Sequence, residues 1–140
     1  MEQRVSCITL GVADIPKATK FYEDMGFARH ASSNKMISFF QMNGLVFGLF
    51  GRQALADEAA KGAQGSGFGN IAMAYNTRSK EEVEATLNAV IAAGGTIEQE
   101  AHDTFWGGYA GYFADPDGHR WEVAWNDSWS ITEEGYVSLV

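Results

Sequence analysis

The stretch "YFADPDGHRWEVAW", from Tyr112 to Trp125, decides the fold more than any other part of the sequence. Its "DPDG" segment predicts a tight turn with Pro116 in the second position, and the apolar residues on both sides predict two strands that the turn joins. Alternation sorts the second strand into two faces: Arg120, Glu122 and Ala124 on one, and Trp121, Val123 and Trp125 on the other. Glu122 is therefore a carboxylate among apolar neighbours, which costs free energy unless the group is paired, hydrated or used.

The first half of the chain predicts a strand, a helix and further strands. "RVSCITLGVAD" is an extended run that ends at Asp14, a residue that can cap a helix whose first turn contains Pro16. The helix carries one apolar stripe and ends at Gly26. The stripe consists of Ile15, Ala18, Phe21, Tyr22 and Met25. Two short strands around residues 28–32 and 36–42, a hairpin turn at Asn43-Gly44 and the strand "LVFGLFG" follow. Residues 52–61 predict a short surface helix, and "GAQGSGFG" predicts a flexible joint.

The second half repeats this order. "GNIAMAYNT" predicts a strand, and Ser79 with Glu82 forms a capping box before the next helix. That helix ends at Gly94 and turns four apolar residues inward, Val83, Leu87, Val90 and Ile91. The strands "TIEQEAH" and "WGGYAGYFA" then lead to the DPDG turn, with His102 expected in the loop between them.

The repeated order predicts an internal duplication. Ile8 corresponds to Ile71, and Gly44 corresponds to Gly118. We therefore expect a single α+β domain, residues 1–140, of two βαβββ modules at about residues 3–61 and 67–126, followed by a C-terminal tail at 127–140. The modules are expected to form a curved mixed sheet, an incomplete barrel, around a cavity, with the helices outside.

Composition excludes several classes of protein. A chain of 140 residues, 46% hydrophobic and 20% charged, fits one ordered domain. The net charge is −8 and no basic patch is visible, which argues against nucleic-acid binding. No apolar run reaches the roughly 18 residues of a membrane span, and "MEQRVSCITL" lacks a signal-peptide pattern. The single cysteine, Cys7, excludes an intrachain disulfide, so we expect a cytoplasmic protein.

The chain resembles the vicinal oxygen chelate superfamily, which includes glyoxalase I, extradiol dioxygenases and bleomycin-resistance proteins. The stretches that carry the resemblance are "ITLGVADIPKATKFYEDMGF", "GFGNIAMAY" and "YFADPDGHRWEVAW". The fold alone fixes no reaction, because members of the superfamily differ in chemistry.

The resemblance implies four metal-ligand positions, one on each of four strands. They fall on Cys7, Gly48, Asn70 and Glu122, whereas metalloenzymes of the family use mostly histidine and glutamate. Two usable donors are too few for a tight site, so no metal or other cofactor is expected, and a divalent metal is the alternative. His30, His102 and His119 are expected to be solvated, with His119 on the face opposite Glu122.

The resemblance makes the Glu122 face concave and turns Cys7, Gly48 and Asn70 toward the same cavity, with open space beside Gly48 and Asn70. Two interpretations of Glu122 stay open. It forms an ion pair with Arg120, or it contacts a ligand as an acceptor or a general base. Trp106, Tyr109 and Tyr112 either fold over a flat ligand or form an aromatic core cluster, and Phe39, Phe40 and Phe47 carry the same ambiguity.

The leading function is the binding of a small organic molecule without the family metal. The expected ligand-binding residues are Cys7, Gly48, Asn70, Glu122, Arg120, Trp106, Tyr109 and Tyr112, with Glu122 as the candidate catalytic residue. A homodimer is implied by analogy with the drug-sequestering members of the family. The alternatives are a metal-dependent lyase or dioxygenase with relocated ligands, and a metal-free enzyme that uses Glu122 as a base.

Overall fold

A computed structural model describes residues 5–59 and 71–139. The chain divides into two compact units, Met1–Gly69 and Asn70–Val140. Both units are α+β and contain mixed sheets, as predicted. Asn70 and the joint at residues 62–69 lie outside the described residues, so the open space beside Asn70 and the flexibility of the joint stay predictions. The expected cavity shared by the two modules concerns both units together, and it also stays a prediction.

The first unit places one helix against a three-stranded sheet. Its elements are β1 (Cys7–Val12), α1 (Ile15–Asp24), β2 (Ile37–Gln41), β3 (Val46–Gly51) and α2 (Arg52–Ala59). The strand order is β1-β3-β2, in which β1 is parallel and β2 antiparallel to β3. Asp14 caps α1 by accepting from the Lys17 N–H, as predicted. The aromatic core under α1 contains Phe21, Tyr22, Phe40 and Phe47, so the last two are core residues.

The predicted strand at residues 28–32 is wrong. Only an isolated bridge between Arg29 and Phe40 is present there. The reason is local: the His30 ring lies 2.8 Å from the Ser32 hydroxyl, and Asn34 Oδ1 accepts from the N–H groups of Met36 and Ile37. Polar side chains that bind the nearby backbone offer it an alternative to a sheet ladder.

The second unit has the same order of elements with one more paired strand. Its elements are β4 (Met73–Thr77), α3 (Lys80–Ala93), β5 (Thr96–Asp103), β6 (Tyr109–Ala114) and β7 (Arg120–Trp125). The strand order is β4-β7-β6-β5, with β4 parallel to β7. A separate hairpin, β8 (Trp129–Ile131) with β9 (Val137–Leu139), follows. Among the described residues, no helix has the length and apolar character needed to cross a membrane.

The helix α3 begins and ends as predicted. Ser79 accepts from the Glu82 N–H, and Gly94 adopts φ +93° after the last turn. Val83, Leu87 and Val90 are buried, but Ile91 is 59% exposed, so its predicted inward position is wrong. Successive helical residues point about 100° apart, and with Val90 against the sheet, Ile91 lies on the flank of the stripe.

The turns of the two units correspond as the duplication predicts. Gly44 and Gly118 both have positive φ, +83° and +85°, which favours glycine, and each lies two residues before the first residue of the following strand. The N–H of Gly118 donates to Asp115 O, which closes the DPDG turn.

The expected equivalence of Ile8 and Ile71 is wrong by two residues. Counted from the glycines of the turns, Phe47 and Trp121 hold equivalent positions. Phe47 pairs with Ile8, and Trp121 pairs with Met73. Met73, not Ile71, is therefore the counterpart of Ile8 in the strand ladder. A shift of two residues keeps every side chain on its face, so the expected faces are unchanged.

Candidate functional site

Glu122 and Tyr112 form the centre of the candidate site. Both residues are half-buried and lie directly opposite each other on β7 and β6. The Tyr112 hydroxyl donates to Glu122 Oε1 at 3.0 Å. The other carboxylate oxygen, Oε2, accepts a hydrogen bond from none of the residues that the structure describes. The pair thus leaves one oxygen for another donor.

The protonation of Tyr112 suits this role. Burial, followed by the hydrogen bond to Glu122 and the charge of that carboxylate, raises the pKa of Tyr112 above 10.0. The phenol therefore stays protonated at neutral pH and donates to the carboxylate. A hydrogen bond to a charged acceptor is stronger than a neutral one, so the pair fixes the orientation of the carboxylate.

Arg120 forms an ion pair with Glu98. Its Nη2 lies 3.2 Å from Glu98 Oε2, and both side chains are partly exposed. This partner differs from the Glu122 partner that the sequence suggested. Glu98 lies where the pairing of β5 with β6 shifts, between Ile97 and Gln99. Because β6 lies between β5 and β7, this contact depends on the strand order of the sheet, which strand alternation alone does not give.

The expected aromatic cluster divides into separate parts. Tyr112 lies on the Glu122 face, whereas Tyr109 lies on the α3 side and donates its hydroxyl to Glu84 of α3. Tyr109 is therefore not beside Glu122, and its expected ligand contact loses its structural basis. The Glu84 hydrogen bond is the main cause that raises the pKa of Tyr109. Lys80 lies over the rings of Tyr109 and Trp125, which strengthens the same helix-facing contact.

Trp106 covers Gly108 before β6 begins. A Cβ atom at Gly108 would lie 1.7 Å from the Trp106 ring, so only glycine allows this contact. Gly108 lies just before β6, four residues from Tyr112, which corresponds to about 13 Å along an extended strand. Phe105, which the sequence analysis did not select, is fully exposed in the same turn. In the sequence, only the nearby glycines Gly107 and Gly108 indicated an exposed turn at this point.

Gly48 does not leave the open space that the sequence predicted. A Cβ atom at Gly48 would meet Thr9 Oγ1 at 3.4 Å and the Phe39 ring at 3.5 Å. Phe39, on the strand beside Gly48, therefore occupies the neighbouring volume. Cys7 is exposed, with its sulfur 3.5 Å from the Thr9 hydroxyl. Asn70 lies outside the described residues, and its contribution stays a prediction.

The histidines differ from expectation in two cases. His102 lies on β5 opposite Ala110, not in a loop. His119 Nδ1 lies 2.9 Å from a carboxylate oxygen of buried Asp115, so it is a partner in the DPDG turn and not a solvated residue. His30 is exposed, as expected.

Of the four positions that the resemblance assigns to metal ligands, the structure describes Cys7, Gly48 and Glu122. Gly48 has no donor atom and the Phe39 ring lies beside it. Among residues 5–59 and 71–139, no group of three His, Cys, Asp or Glu side chains is placed to hold a metal ion.

Comparison with known proteins agrees with the fold. The profile of the Glyoxalase/Bleomycin resistance protein/Dioxygenase superfamily matches residues 4–123, and the chain belongs to this superfamily. A glyoxalase-related enzyme from Fulvimarina pelagi is 38% identical over 99% of both chains, with a TM-score of 0.89. No curated protein sequence matches the chain.

More distant structures share the fold. A family enzyme from Burkholderia phytofirmans PsJN is 18% identical, covers 86% of this chain and 96% of its own, and has a TM-score of 0.77. A lactoylglutathione lyase from Agrobacterium tumefaciens is 22% identical, with coverage of 89% and 94% and a TM-score of 0.67. At these identities the likeness concerns the fold alone.

Proposed function

We propose that the protein binds a small organic molecule on the sheet face that carries Glu122, without the family metal. The observation that carries this proposal is the orientation of Glu122. Tyr112 holds one carboxylate oxygen, and the other accepts from no described residue. Opposite Glu122 on β4 lies Ala74, whose small side chain leaves this side of the carboxylate uncrowded.

The charge of the site indicates the ligand class. A half-buried carboxylate favours a donor, so we expect a cationic or hydroxylated aromatic molecule. The Trp106 ring, in the turn before β6, is the proposed contact for the flat part of such a ligand. Gly48 and Cys7, together with Asn70, stay proposed contacts of the same ligand.

A thermal-shift screen of small molecules tests the proposal. A ligand that binds the folded state raises the melting temperature. Glu122→Gln should weaken binding of cationic or hydroxylated aromatics by about 1–3 kcal/mol, the range for a lost charged hydrogen bond. Glu133→Gln makes the same charge change at an exposed glutamate of the C-terminal hairpin and should leave binding intact. Identical ligand profiles for Glu122→Gln and the parent would remove Glu122 from the site.

A second candidate is a metal-free enzyme that uses Glu122 as a general base. The relative from Fulvimarina pelagi, described as a glyoxalase-related enzyme, favours this candidate. In such a reaction Glu122 Oε2 would take a proton from the substrate while the Tyr112 hydroxyl holds Oε1. Ligands found in the screen would then exchange a carbon-bound proton for deuterium in D2O with the parent, and not with Glu122→Gln. Equal exchange rates would exclude the base role.

We also propose that the protein acts as a cytoplasmic homodimer, by analogy with metal-free binding members of the family. The exposed thiol of Cys7 is compatible with a reducing compartment. A mass in solution near that of one 15.3 kDa chain would contradict the dimer.

A further inference from the structure

A cavity lies within the first unit. It has a volume of about 550 Å³ and is formed by the first turns of α1 and by the segment that leads into β2. Small-molecule sites usually have volumes of roughly 300–1,000 Å³. We call it the α1 cleft. Its lining includes Ile15, Pro16, Thr19, Arg29, Lys35 and Ser38.

The inner wall of the α1 cleft is a network of polar groups in which Thr19 and Ser38 are buried. The hydroxyls of Thr19 and Ser38 lie 2.7 Å apart, and Ser38 is 1% exposed. Arg29 Nε donates to Ser38 Oγ at 3.2 Å, and its Nη2 donates to Asn34 O at 3.0 Å. The guanidinium is therefore fixed in orientation, while Nη1 donates to none of the described residues.

The charges of the α1 cleft favour an anion. Arg29 and Lys35 form no ion pair with any residue in the described part of the chain. Glu23 is the one carboxylate among the lining residues, so the lining carries a net charge of +1. This local positive charge stands out in a chain whose net charge is −8. An oriented guanidinium with free donors is well suited to a carboxylate or phosphate group.

We propose that the α1 cleft binds a small organic anion, a carboxylate or a phosphate monoester. The acid group contacts Arg29 and Lys35, and the carbon skeleton rests against Ile15 and Pro16. All its lining residues belong to the first unit, whereas Glu122 belongs to the second. The protein would then have two ligand sites of opposite charge preference.

NMR titration of the 15N-labelled full chain tests the proposal, with benzoate, phenyl phosphate and inorganic phosphate as probes. We expect shifts at the amides of residues 33–35 and at the Arg29 Nε–H. Lys35→Gln should weaken binding of the organic probes about two- to fivefold, the range for an exposed charge pair. Arg29→Gln should weaken it about tenfold or more, since it removes charged hydrogen bonds. Lys17→Gln changes an exposed lysine of α1 outside the cleft and should have no effect.

Three results would overturn the proposal. The first is the absence of shifts at residues 29–38 with millimolar benzoate and phenyl phosphate. The second is equal affinities of Lys35→Gln and Lys17→Gln for the organic probes. Because Lys35 is exposed, its replacement should not disturb folding, so this comparison holds even if Arg29→Gln is unstable. The third is inorganic phosphate that binds as tightly as phenyl phosphate, which would remove the contact with Ile15 and Pro16.

Discussion

Replacement of Tyr112 by phenylalanine should destabilise the folded chain by about 1–2 kcal/mol. The change removes one hydroxyl and keeps the ring, so it isolates the 3.0 Å hydrogen bond to Glu122 Oε1. A hydrogen bond to a charged group contributes about 1.5–3 kcal/mol, and we expect a value at or slightly below the lower end of this range because water reaches both half-buried side chains. The melting temperature should fall by roughly 3–6 °C for a chain of this size.

A double-mutant cycle by urea denaturation tests whether this loss belongs to the pair. Glu122→Gln keeps an acceptor but removes its charge, so Tyr112→Phe should cost less in that background. We expect a coupling energy of about 0.5–1 kcal/mol between the two positions. Tyr136→Phe is the matched control, because the Tyr136 hydroxyl forms no hydrogen bond with the residues that the structure describes. Free energies of unfolding that add within about 0.3 kcal/mol would refute the coupling and the orientation argument for Glu122.

Two further predictions concern the pH dependence and the packing of the second unit. The pKa of Tyr112 is raised in the folded state, so the folded protein holds the phenol proton more tightly than the unfolded chain does. The contribution of this proton to stability is therefore complete below pH 10 and is lost as the pH rises through the raised pKa. A tyrosine 13Cζ titration should show a lower pKa for Tyr112 in Glu122→Gln than in the parent. The pKa should still lie above 10, because burial is the larger cause of the shift. An unchanged pKa would contradict the hydrogen bond between Tyr112 and Glu122. Gly111→Ala should destabilise the protein by about 1–3 kcal/mol in urea denaturation, because its Cβ would lie 2.7 Å from the Leu87 side chain and 2.9 Å from Gln99 O. Gly51→Ala enters open space and is the control, and equal costs at both glycines would refute the packing argument.

The sequence predicted the local features that depend on neighbouring residues. The caps Asp14 and Ser79, the glycine at the end of α3 and the DPDG turn formed where expected, because their hydrogen bonds join residues a few positions apart. The opposition of Tyr112 and Glu122 follows by counting outward from the DPDG turn, yet their hydrogen bond was not predicted from the sequence. The repeated order of elements also predicted the fold of the family.

The tertiary structure decided the contacts between distant segments. Arg120 of β7 pairs with Glu98 of β5, and these two strands meet only across β6 in the strand order, which strand alternation alone does not give. The volume beside Gly48 is bordered by Phe39, a residue on another strand. The α1 cleft likewise depends on a segment that the sequence predicted as a strand, where Arg29 instead binds Ser38 and Asn34. Local hydrogen bonds are set by spacing along the chain, whereas these contacts depend on how strands and loops meet in space, and a single sequence does not state that arrangement.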